Sequence, residues 1–272
     1  MPVTYVPMTT TGMSQRAFQH RGMLRRPSAY VGFFAGLLAI TPCAASAGVV
    51  DHGLWDTILK QYVDDGGHVA YRRLQAENAE ALATYLKTIA AARIDDVSQK
   101  DQLAFWLNAY NATIVAGVLQ GRSPETAVMR FRFFRMYERV IAGQKNTPDE
   151  IETVVRGFQD ARAHFALVCA STSCPKLRRE AYIGTRLDAQ LDDQARQFVN
   201  DPGRNRIDAG TGVVELSMIF NWFNGDFTRG GRSLADFLTP YLTAAQVKLL
   251  REKAPRYREY DWTMNAQPGE RP

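Results

Sequence analysis

The sequence predicts an α+β fold: one helix-rich domain with a small, mostly antiparallel sheet. Three observations predict it. Apolar residues recur at helical spacing in most segments between 51 and 253. Strand-like runs are few and short, and they do not alternate regularly with the helices, which argues against a doubly wound parallel sheet. No linker, repeat or low-complexity tract divides the chain, and the 225 residues of 48–272 suffice for one core.

Residues 1–47 read as a leader outside that domain. Arg16, Arg21, Arg25 and Arg26 precede an 11-residue apolar run, YVGFFAGLLAI, and then Ala45-Ser46-Ala47. This is the pattern of an export signal cleaved after Ala47. The apolar run is too short to cross a bilayer, which takes ~20 residues, so no transmembrane helix is expected after cleavage. The basic segment is long, and Met13 and Met23 are alternative starts. Cys43 follows Pro42, where a lipid-attachment site needs a small residue, so a soluble, periplasmic or secreted product is the expectation. Taking the four leader arginines from 33 basic residues leaves 29 against 28 acidic, a net +1. The excess charge therefore belongs to the leader and gives no basis for a nucleic-acid partner.

Within the domain, Leu54, Trp55, Ile58, Leu59 and Tyr62 mark one helical face over 51–65, ended by Gly66-Gly67. Residues 69–74 read as a short strand and 76–92 as a second helix. A third helix spans 98–120, with Ser98 as N-cap, Asp101 three positions on and Gly121 beyond its end. Residues 130–141 alternate in part and end at Gly143, which predicts a strand and turn. Thr147-Pro148-Asp149-Glu150 opens a helix: Thr147 caps, Pro148 suits the first turn and Glu150 closes a capping box. The short apolar run 164–169 predicts a buried strand, and 186–200 another helix. Ile207 and Val213-Val214 flank Ala209-Gly210-Thr211-Gly212, a hairpin signal. Helices follow at 217–227, 233–242 and 244–253, with a last strand inside 257–265.

The chemistry concentrates in 164–175, HFALVCASTSCP, which brings His164, Cys169 and Cys174 into one run. On a strand, His164 and Cys169 fall on opposite faces, about 16–17 Å apart at ~3.3 Å per residue. A local thiolate–imidazolium pair then needs a sharp bend; otherwise His52 or His68 must serve as base. The loop Ala170-Ser171-Thr172-Ser173, closed beyond Cys174 by Pro175, offers backbone N–H groups and hydroxyls, the parts of an oxyanion or phosphate site. The alternative is that its hydroxyls bond their own backbone. Cys169 and Cys174 are the only cysteines beyond the leader, and an oxidising compartment leaves a disulfide between them open. Only three histidines remain, with no CxxC or HExxH pattern, so no metal and no cofactor are expected.

Three further segments carry candidates. The third helix has no charged side chain from Gln102 to Leu119, so it is expected to be buried. Asn108 and Asn111 share one of its faces, and a buried amide left unpaired costs roughly 1–3 kcal/mol. They either pin the backbone of a neighbouring loop or orient a catalytic group. In IFNWFNGDF, 219–227, Phe220, Trp222, Phe223 and Phe227 surround Asn221, Asn224 and Asp226. This is an aromatic core helix with a polar end, or a pocket wall with Asp226 as an acid or orienting group. Arg130, Arg132 and Arg135 interleave with Phe131, Phe133 and Phe134, as on an amphipathic edge strand; an anion-binding face is the alternative.

FWLNAYNATIVAGVL, IAGQKNTPDEIE, HFALVCASTSCPKLR, FNWFNGDF and YDWTMN, in this order, resemble the domain of unknown function 547 family (DUF547). The resemblance spans roughly 54–265 and implies a single domain of an exported bacterial type, with no activity to transfer. Its signature residues correspond here to Asn108, Asn111, His164, Cys169, Pro175, Trp222, Asp226 and Asp261. Plant members carry Ser at the position of Cys174, which implies that a disulfide is not a feature of the whole family. Thr153 stands where members often carry His.

The functional expectation is a polar pocket around 169–175 acting as a thiol-dependent hydrolase or acyl transferase on a cell-envelope or extracellular substrate. Cys169 is then the nucleophile, His164 the base and Asn108 the orienting amide, with Asn111, Ser171, Ser173 and Asp226 contacting ligand. The alternatives are a non-catalytic protein that binds a small-molecule or peptidic ligand or a partner, and a domain stabilised by a Cys169–Cys174 disulfide.

Overall fold

Helices α1 (Gly53–Tyr62) and α2 (Tyr71–Ala91) pack on each other, and α2 packs on α3 (Gln99–Leu119), around which the domain is assembled. These come from a computed structural model that describes residues 48–272. The expected leader, its cleavage site and Cys43 lie outside the described residues. α3 starts where Ser98 accepts the Asp101 N–H at 3.1 Å, and it is buried almost all round from Leu103 to Val118. Its lack of charge from Gln102 onward is the cause: no face of it gains by meeting water.

The chain then forms α4 (Ala127–Met136), a hairpin of β1 (Arg139–Ile141) and β2 (Gln144–Asn146), and α5 (Pro148–Gly157). The strand expected over 130–141 is mostly helix. Thr126 caps α4 by accepting the Met129 N–H at 3.2 Å, and helical spacing sends Phe133 and Phe134 together into the core. Gly117 of α3 makes the contact possible, because a Cβ there would overlap the Phe133 ring. The alternation of Arg and Phe coincided with a strand pattern over too few residues to discriminate. α5 opens as expected, with Thr147 and Glu150 in a reciprocal capping box.

The strand expected over 164–169 is also absent. Asp160 starts a 3-10 turn, Ala161–Phe165, and the chain then runs irregularly to Cys169. A short apolar run reads the same whether a strand or a side chain satisfies its backbone; here the amide of Asn111 does so. Residues 69–74 form no strand either: Val69 makes single bridges to Val63 and Ala266, and α2 begins at Tyr71.

α6 (Leu187–Val199) leads to the hairpin β3 (Arg206–Asp208) and β4 (Val213–Leu216), with Ile207 opposite Val214. The expected helix over 217–227 divides into α7 (Met218–Trp222) and α8 (Asn224–Phe227), followed by α9 (Leu234–Leu238) and α10 (Ala244–Glu252). β5 (Arg256–Tyr257) joins β4 in parallel. The fold is thus α+β, mainly helical, with small and mostly antiparallel sheets.

A second apolar centre lies beside the α3 core. Phe165 stacks on Phe198 at 4.8 Å between ring centroids, and Phe220 and Phe227 close over it. Among the described residues no helix is long and apolar enough to cross a membrane.

Candidate functional site

The two buried amides of α3 bond backbone, and one of them, Asn111, fixes the approach to the 169–174 loop. Asn108 donates to the Tyr182 carbonyl at 2.8 Å and accepts the Tyr182 N–H at 2.9 Å. Asn111 donates to the Ala166 carbonyl at 2.9 Å and accepts the Val168 N–H at 3.0 Å. Each amide replaces a missing strand partner for one turn of chain. All of these bonds go to backbone.

After Val168 the chain reverses. Ala170 sits at φ 60°, a left-handed conformation unusual for a residue with a Cβ. The turn brings Cys174 back to Cys169, Cα atoms 6.2 Å apart, and the two sulfurs form a disulfide. Around it, the Ser171 hydroxyl lies 3.1 Å from the Cys169 sulfur and the Tyr260 hydroxyl donates to the Cys174 sulfur at 3.2 Å. Desolvation of the Tyr260 hydroxyl pushes its pKa well up.

The loop N–H groups do not converge on an open anion site. Thr172 N–H donates to the Thr263 carbonyl at 2.8 Å, Ser173 N–H to the Asp261 carbonyl at 3.1 Å and Cys174 N–H to the Ser171 carbonyl at 3.1 Å. Cys169 N–H points at the Cys174 sulfur, 2.9 Å away. The hydroxyls follow suit: Thr172 donates to the Thr263 carbonyl at 3.0 Å and Ser173 accepts the Asp261 N–H at 2.8 Å. The segment after β5 is what the loop is built on; it also reaches α2, where Tyr71 donates to the Asn265 side chain at 2.7 Å.

His164 faces elsewhere. Its Nε2–H donates to Asp226 Oδ2 at 2.9 Å, and its ring stacks on Phe223 with centroids 4.1 Å apart. Burial lowers its pKa despite that carboxylate. Asp226 also accepts from Arg156 Nε at 2.7 Å and from Arg229 at 2.8 Å. Burial pulls its pKa up, but the hydrogen bonds from His164 and Arg156 overcome this and hold the carboxyl well below the usual range. Glu152, one turn before Arg156 on α5, is pushed up to about 8 by burial first and then by Asp149 and Asp226, against Arg156. No hydrogen bond joins His164 to Cys169. His52 instead meets the Tyr85 hydroxyl at 2.7 Å, and His68 meets Asp64 at 3.3 Å.

Beside the loop lies a cavity of about 260 Å³ lined by Thr172, Ser173, Arg204, Ser217, Arg258, Glu259, Tyr260 and Asp261, among others. Arg204 braces its floor, donating to the Cys174 carbonyl at 2.7 Å and the Thr172 carbonyl at 3.0 Å. Behind Tyr260 stand Trp222 and Trp262, with ring centroids 4.8 and 4.5 Å from it. Among the described residues no group of His, Cys, Asp or Glu is arranged to hold a metal ion.

Of the expected site residues, Cys169, Cys174, Ser171 and Ser173 share the loop, and Ser173 reaches the cavity. His164 and Asp226 form a separate pair, Asn111 holds the backbone between His164 and Cys169, and Asn108 holds that of Tyr182. Arg156, Arg204, Glu152 and Tyr260 were not singled out by sequence reasoning. The i, i+4 pairing of Glu152 with Arg156 was a readable signal; the bonds of Arg204 and Tyr260 to a loop 30 and 86 residues away were not. Thr153 is exposed and its hydroxyl donates back to the Asp149 carbonyl at 2.9 Å.

No curated protein and no solved structure matches the chain. Residues 94–199, from just before α3 to the end of α6, match the family model described as protein of unknown function, DUF547.

Proposed function

We propose that the domain is an exported, non-catalytic binding domain, stapled by its disulfide, that holds a small polar or peptidic ligand in the cavity beside the 169–174 loop. The observation that carries this reading is the Cys169–Cys174 bond. A sulfur in a disulfide is neither a thiolate nor a nucleophile. The other parts of a thiol hydrolase are also engaged elsewhere: His164 with Asp226, and Asn108 with the Tyr182 backbone. The cavity itself combines cationic Arg204 and Arg258 with anionic Glu259 and Asp261. Such a lining complements a ligand that carries both charges, as a peptide segment does.

The test is intact-mass analysis after alkylation of the unfolded protein, with and without prior reduction. The expected result is no label at Cys169 or Cys174 until reductant is added. Full labelling of Cys169 without reductant overturns the reading and returns the thiol-dependent hydrolase or transferase to first place. Reaction of the native protein with an electrophilic acyl-type probe at Cys169 has the same meaning.

A further inference from the structure

We propose that the outward face of α4, together with the β1–β2 hairpin, docks onto the surface of an anionic lipid bilayer. Of the large apolar side chains exposed among the described residues, all but Val49 and Leu54 lie between 128 and 140. Val128 is 62% exposed, Phe131 54%, Met136 63% and Val140 45%. An exposed apolar patch of this kind marks a contact surface.

The face is cationic as well as apolar. Arg132, Arg135 and Arg139 carry that charge; Arg130 is half-buried, donating to the Pro124 and Glu125 carbonyls and lying over the Trp262 ring, and Lys145 pairs with Glu138. Helical geometry puts Val128, Arg132 and Met136 in one i, i+4 row, and Phe131 and Arg135 in the next. On the opposite side Phe133 and Phe134 anchor α4 to the core. Arg135 pairs with Asp149 at 2.9 Å, whereas Arg132 makes no ion pair among the described residues. A helix with this distribution lies in the plane of a bilayer interface. Its apolar side chains enter the headgroup boundary, while the guanidinium groups remain at the level of the lipid phosphates.

Charge complementarity selects the occupant. A second copy would bring two arginine-rich faces together, and like charges in contact oppose that pairing. Anionic phospholipid headgroups supply the opposite sign in a dense array.

The test is co-sedimentation of the full chain with sucrose-loaded vesicles of phosphatidylcholine, with and without phosphatidylglycerol. The apolar run of 30–40 can itself partition into lipid, so variants decide the outcome. Val128→Glu with Met136→Glu changes two exposed positions, and an unchanged thermal melt confirms that it folds. The expected result is binding to the anionic vesicles in excess of that to phosphatidylcholine alone, this excess being weakened by added salt and reduced ~tenfold or more in the double variant, with a several-fold loss for Arg132→Gln. Absence of binding to phosphatidylglycerol vesicles overturns the proposal, as does a double variant that sediments as well as the parent. A dimer in analytical ultracentrifugation that the double variant dissociates, with no vesicle binding, assigns the face to a second copy instead.

Discussion

The imidazole of His164 donates to the carboxylate of Asp226 across 2.9 Å, joining the approach to the 169–174 loop to α8. Both side chains are well covered, at 5% and 11% exposure, so the pair contributes to stability in a pH-dependent way. His164 has a folded pKa below its ordinary value. Below about pH 6.5 the unfolded chain therefore takes up a proton that the folded chain resists, and stability falls as pH drops through that range. Asp226 is depressed. Its contribution is complete above about pH 4 and is lost as pH falls toward its folded value. Asp226→Asn is expected to cost about 2–4 kcal/mol at pH 7, because it removes the charge that Arg156 and His164 meet. It should also flatten the acid limb below pH 4. Urea unfolding across pH measures both; an unchanged midpoint at pH 7 refutes the role given to the pair.

Glu152 has the opposite sign. Its folded pKa of about 8 lies above the unfolded value. The unfolded chain releases its proton first, so stability falls as pH rises from about 4 and levels off above the folded pKa. Glu152→Gln lacks that dependence. Its stability relative to the parent should rise between pH 5 and pH 9, read from urea midpoints at pH 5, 7 and 9. A constant difference across the three would mean that Glu152 ionises normally.

Asn111→Ala is expected to lower stability by about 2–4 kcal/mol, because it orphans both the Ala166 carbonyl and the Val168 N–H in the interior. Asn108→Ala should behave alike through Tyr182. Chemical denaturation measures the loss. A near-neutral result at either position would show that water or a shifted backbone replaces the amide.

Cys169→Ala with Cys174→Ala opens a loop closed over a sequence separation of five. Loop-closure entropy for so short a ring puts the loss at about 2 kcal/mol. The comparison is between urea midpoints of the parent with and without reductant and of the double variant. The reduced parent and the variant should coincide to within the packing change at the buried Cys174 and the half-buried Cys169.

Much of the architecture was legible before the tertiary structure, for local reasons. Ser98 and Thr147 cap helices because their oxygens meet N–H groups three residues on, and the uncharged run of α3 has to be buried. The Ile207 and Val213-Val214 hairpin is announced by its turn. The errors share one cause. For 130–141 and 164–169, the pattern was too short to distinguish strand from helix or from irregular chain. The answer came from remote partners: Gly117 admits the ring of Phe133, and Asn111 bonds the backbone of Ala166 and Val168.

By itself, the sequence determined that this is a helix-rich α+β domain and that Cys169 and Cys174 are the only cysteines of residues 48–272. Only the tertiary structure decided where those groups point. It turned His164 onto Asp226, joined the two sulfurs, and satisfied the loop with the chain around Asp261 and Thr263. Apart from the disulfide, whose cysteines are five positions apart, these are contacts between residues some 60 to 90 positions apart, and no local preference of the chain encodes such a distance; it is set by how the helices pack around α3 and by the Arg156–Asp226 ion pair that ties α5 to α8.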